Sequence, residues 1–132
     1  MIRLLAAASL AAGLASPALA TEWLNCSDRD GAASMDLLLG AMDVAAVVGM
    51  TISTGDKVWA SHVEYGPGEP VTVGQAFENA DMLLVDAMDE AVANKIAELR
   101  LFKATEGDGA PVYAGTLRII GHGAWAVACS DG

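Results

Sequence analysis

The chain has 132 residues, 54% of them hydrophobic, with 17 acidic and seven basic side chains, two cysteines and a net charge of −10. That length fits one domain whose core is large enough to fold without a structural metal. The charge argues against nucleic acid, whose phosphates demand a basic surface, and against anionic lipid headgroups, and leaves basic proteins and divalent cations as the natural electrostatic partners beside plain solubility.

Residues 1–20, "MIRLLAAASLAAGLASPALA", place one positive charge (Arg3) ahead of an apolar run that breaks at Ser16-Pro17 and closes on Ala18-Leu19-Ala20. This is the pattern of a cleaved signal peptide, alanine-rich in the bacterial manner. The run is shorter than the ~20 residues of a membrane span, and no membrane insertion is expected after cleavage. The expected mature chain is a single exported, β-rich domain at 21–132, periplasmic or secreted. Loss of Arg3 leaves six basic against 17 acidic residues, a charge of 6 − 17 = −11.

Export places Cys26 and Cys129 in an oxidising compartment, where two cysteines have one way to pair. The pairing would join the two termini of the domain. No C-x-x-C is present to support redox catalysis. Trp23 lies three residues before Cys26, so on a strand it points away from the face the cysteine uses, and it is a candidate partner-binding anchor.

Turn signals recur at 27–31, 53–57, 65–70, 78–81, 106–111 and 121–123, with short apolar stretches between them, as in antiparallel β structure. Residues 32–50 read as two strands broken near 40–43. Residues 49–65 read as a hairpin with Met50 and Ile52 in phase and Trp59, Ser61, Val63 and Tyr65 sharing one face of the return strand. In 71–78, Val71, Val73, Gln75 and Phe77 fall together. Segment 81–103 holds two readings. Val85, Met88, Val92, Ile96 and Leu99 trace a helical stripe, whereas the alternation of Leu99 and Leu101 with Glu98 and Arg100 favours strands at 82–88 and 96–104 joined by a short acidic loop. In 113–120, Tyr113, Leu117 and Ile119 align. In "AWAVACS", Trp125, Val127 and Cys129 face one way and three alanines the other, with His122 in the preceding turn.

The expected fold is therefore mainly β: a small antiparallel sandwich or partly open barrel of seven to nine strands, its termini joined by the disulfide. The alternative is an α+β fold with an amphipathic helix within 81–103.

Catalytic and metal chemistry find little support. "CSDRDG" and "EGDGAP" resemble the start of a calcium loop but lack its closing donors, and read as turns in which Asp accepts backbone hydrogen bonds. A transition metal would need the histidines His62 and His122 with a carboxylate such as Glu64, two residues from His62. No nucleophile elbow, H-E-x-x-H or phosphate loop occurs, so no catalytic residue and no cofactor is expected. The favoured function is a non-catalytic binding or interaction module for a protein partner, such as a basic envelope protein or lysozyme. Trp23, Tyr65, Glu69 and Asp108 are the candidate contacts. The alternative is a periplasmic metal-binding protein using His62, His122 and carboxylates.

Overall fold

The computed structural model describes residues 21–40 and 46–131, together with Gly13. Apart from Gly13, the expected signal segment lies outside the described residues, as do 41–45, which include 41–43 of the expected 40–43 break.

Among the described residues the chain forms nine strands: β1 (Glu22–Ser27), β2 (Ala33–Leu39), β3 (Val47–Thr54), β4 (Lys57–Ala60), β5 (Glu69–Glu78), β6 (Met82–Asp89), β7 (Lys95–Ala104), β8 (Val112–Ile119) and β9 (Gly123–Asp131). One turn of 3₁₀ helix, Val63–Tyr65, lies between β4 and β5. The strands pair in chain order into a closed barrel, with β9 returning to β1. This corrects the expectation of a sandwich or partly open barrel. Both of those and a closed barrel bury one face of every strand, so the same alternation of side chains suits all three.

Nine strands cannot close with every neighbour antiparallel, because one circuit must restore the starting direction. The fold meets this condition with a single parallel pair, β4 and β5, matched at Trp59 with Glu69 and Ala60 with Pro70. The connection between them leaves the barrel at Ser61 and returns at Gly68. Its first residue is tied to β3, since the Ser61 amide donates to the Met50 carbonyl and the Met50 amide donates to Ser61 Oγ.

Inward positions are apolar on every strand, including Met35, Leu37, Met50, Ile52, Leu83, Leu99, Leu101 and Leu117, all fully buried. The interior is thus a packed core and not a channel. The disulfide joins Cys26 and Cys129, which face each other across the β1–β9 seam with a Cα separation of 4.0 Å. Such bonds persist in oxidising compartments, which points to an extracellular or periplasmic setting.

The helical alternative for 81–103 is overturned. Val85 and Leu99 do lie inward, but on adjacent antiparallel strands where they are register partners. Asp89 closes the intervening turn by accepting hydrogen bonds from the Ala93 amide and the Asn94 side chain. Within that turn Val92 has φ of 56° and is exposed. A β-branched residue is strained there, and Val92→Gly should raise the unfolding free energy by about 1 kcal/mol. Urea denaturation of the two proteins measures this, and an unchanged midpoint would show that the turn carries no strain.

Two further expectations change. The return strand of the hairpin stops at Ala60, so Ser61, Val63 and Tyr65 do not continue the face of Trp59. In β5 a bulge falls between Val73 and Ala76, which reverses the phase: Val73 packs on the core while Phe77 is exposed. Gly74 permits the bulge, since a Cβ there would come within 2.7 Å of Met88 Cγ and 3.1 Å of the Asp86 carbonyl.

Candidate functional site

Outward positions on β1, β2 and β3 form cross-strand rungs. Asn25, Asp36 and Thr51 make one, and Trp23, Leu38 and Gly49 make the next. Each polar residue of the first rung stands between two buried apolar neighbours of its own strand: Leu24 and Cys26, Met35 and Leu37, Met50 and Ile52. Strand alternation therefore drives these three polar groups to the outer face together.

The β4–β5 connection completes the site. Tyr65 packs closely against β3 because Gly49 has no side chain: a Cβ at Gly49 would come within 2.6 Å of the Tyr65 ring. The same ring meets Trp23 edge to face at 5.2 Å between centroids, and His62 at 5.1 Å. The result is a depression of about 500 Å³ lined by Trp23, Asn25, Asp36, Thr51, Glu64 and Tyr65.

Asp36 is the chemical centre of this groove. Thr51 Oγ1 donates to its Oδ2 at 3.4 Å. Burial raises its pKa above the ordinary carboxylate value, against the opposing effect of hydrogen bonds from Thr51 and the Cys26 backbone. Among the described residues no basic side chain lines the groove. A second depression, on the outer face of β5–β7, contains Asp86 and gives the contrast. There the buried carboxylate is held by Arg100 at 2.7 Å and Lys95 at 3.4 Å. Among the described residues Lys57, Lys103 and Arg118 are likewise paired, with Glu69, Glu78 and Glu98. Asp86 thus has its cations within the fold, whereas Asp36 has none among the described residues.

Of the candidate contacts read from sequence, the structure brings Trp23 and Tyr65 together and adds Glu64 beside them. Glu69 instead pairs with Lys57, and Asp108 is exposed in the β7–β8 connection. Asn25, Asp36 and Thr51 were missed, and the only signal for them was a polar residue alternating between apolar ones. The metal set is not assembled. His122 sits in the turn before β9 with its ring against Trp59 at 5.5 Å, while His62 Nδ1 is 2.9 Å from Ser61 Oγ. His62 and Glu64 belong to the connection and not to a strand. Among the described residues no group of three or more His, Cys, Asp or Glu side chains converges to hold a metal ion. The acidic turn at 28–31 closes on itself as expected, with the Ala33 and Asp30 amides donating to the Asp28 carboxylate.

Comparison with protein-family models, curated proteins and solved structures finds no match for this chain.

Proposed function

We propose that this chain is a non-catalytic binding module of the bacterial periplasm or exterior that captures a basic protein partner, with the β1–β3 groove as its anchor. The observation that carries this reading is an internally uncompensated carboxylate, Asp36, set beside the Trp23–Tyr65 pair with Glu64 at the rim. Aromatic rings and carboxylates together attract a cation, and a positively charged side chain supplies what the groove lacks. The acidic composition steers such a partner from a distance, and the signal-like residues 1–20 support export. A basic envelope protein or a lysozyme is the partner class.

Titration of the oxidised protein with a basic lysozyme tests the reading. Affinity should fall at least about tenfold as salt rises from about 0.01 to about 0.15 M, because the Debye length shrinks from about 30 to about 8 Å. Trp23→Ala should weaken binding by about 2 kcal/mol, the scale of an aromatic anchor. Absence of binding, or capture indifferent to both salt and Trp23, would sink the proposal.

Asp36 separates function from stability. Its folded pKa is raised, so the folded protein takes up this proton more readily than the unfolded chain, and the ionised form opposes folding. That penalty is present at neutral pH and disappears as pH falls through the folded pKa. Asp36→Asn should therefore leave thermal stability unchanged or higher at neutral pH while weakening partner binding. A cation favours ionised Asp36, so affinity should decline as pH is lowered through the same range. Parallel thermal melts and binding titrations check both statements, and an Asn variant that loses stability but keeps its affinity would contradict them.

A further inference from the structure

The chemistry of the groove is more selective than a general preference for positive charge. Resting on the binding role above, we infer that the group it accepts is an arginine side chain of the partner, its guanidinium lying against the Trp23–Tyr65 wall and donating to Asp36.

The floor and the wall make complementary demands. Asn25, Asp36 and Thr51 are neighbours on one rung, so the acceptors of Asp36 and Asn25 lie side by side on adjacent strands. Thr51 already donates to Asp36 Oδ2, and no side-chain donor to Oδ1 is present among the described residues. A guanidinium presents several N–H groups in one plane and can serve a carboxylate and a neighbouring amide oxygen together. An ammonium has a tetrahedral head, and a quaternary ammonium has no N–H to give. The wall is an edge-to-face pair at an interplanar angle of 88°. In such a pair the ring that offers its edge keeps both of its own faces clear of the other ring. A planar cation can stack on an aromatic face while its fork bonds in its own plane, and a lysine head cannot do both. Glu64, exposed on the 3₁₀ turn, adds charge where the side chain would enter.

Tyr65 is a positioning element of this site. It reaches the groove only because Gly49 leaves room beneath it, so Gly49→Ala should displace the ring while leaving the inward core positions untouched.

The test uses the full oxidised protein and glycine-flanked tripeptides carrying arginine, lysine or citrulline, followed by two-dimensional NMR with the Trp23 indole as reporter. The arginine peptide should bind at least about tenfold more tightly than the lysine peptide, and the citrulline peptide should not bind, since it keeps the planar shape but loses the charge. Asp36→Asn should abolish the arginine response, and Gly49→Ala should weaken it by about tenfold with the fold retained, a loss on the scale of one aromatic contact. Equal affinity for arginine and lysine would overturn the arginine assignment and leave the basic-partner reading in place. So would salt-dependent lysozyme binding with no response of the Trp23 indole to the arginine peptide. If neither lysozyme nor any peptide binds, both readings fall.

Discussion

Replacing Cys26 and Cys129 together by alanine should lower the unfolding free energy by about 4–5 kcal/mol, the largest effect expected of any change to this chain. The two cysteines are 103 residues apart in sequence, so the bond removes the loop-closure entropy of nearly the whole described domain from the unfolded state. They also sit where the barrel depends on them. The β1–β9 ladder has only four residue pairs, from Leu24 with Asp131 to Ser27 with Ala128, and the disulfide occupies one of them. Cys26 is fully buried, which favours alanine over serine as the replacement, because a serine there would bury a hydroxyl. Set against the 5–15 kcal/mol typical of domains, such a loss leaves a marginal fold. Guanidinium unfolding of the oxidised protein and the double alanine variant measures the difference. A loss below about 1 kcal/mol would mean that the unfolded chain keeps the seam together, or that native strain offsets the entropic gain.

Gly115→Ala should cost about 3 kcal/mol or more, the upper range of overpacking. Gly115 lies on β8 in register with Leu101 of β7 and Val127 of β9, both of them buried. An added Cβ would overlap the Arg100 carbonyl oxygen and come within 3.0 Å of the Leu101 Cα. The obstruction is backbone, so no rotamer change relieves it. The ladder between β7 and β8 is eight residue pairs long and would have to open locally. Beyond stability, that opening would shift Arg100 away from Asp86 and leave the buried carboxylate with Lys95 as its one cation among the described residues. Equilibrium denaturation is again the measurement. A cost under about 1 kcal/mol would show that the sheet can twist to admit the methyl group.

What the sequence determined by itself is what depends on neighbours a few residues away or on simple elimination. Two-residue alternation marked the inward faces of β7, β8 and β9, with Leu99 and Leu101 against Glu98 and Arg100, and Trp125 and Val127 against the alanines. Turn residues located most of the connections, and two cysteines allowed one bond. The tertiary structure alone decided the rest. Barrel closure rests on the two-residue parallel match of β4 with β5 and on the β1–β9 seam, neither of which leaves a trace in local periodicity. A single bulge after Val73 turned Phe77 to the other side, because a period of two has no memory beyond one inserted residue. The helical stripe in 81–103 was a coincidence of spacing, dissolved once β6 and β7 could pair. The groove shows the same division. Trp23 was legible as an outward tryptophan, but Tyr65 was read as the end of the return strand, and the meeting of the two depends on a turn at 63–65 and on Gly49 being bare. Asn25, Asp36 and Thr51 lie 11 and 15 residues apart, the differences between their numbers, and become one rung only through strand register. A site assembled across strands is a property of register, and register is set when the whole sheet finds its core.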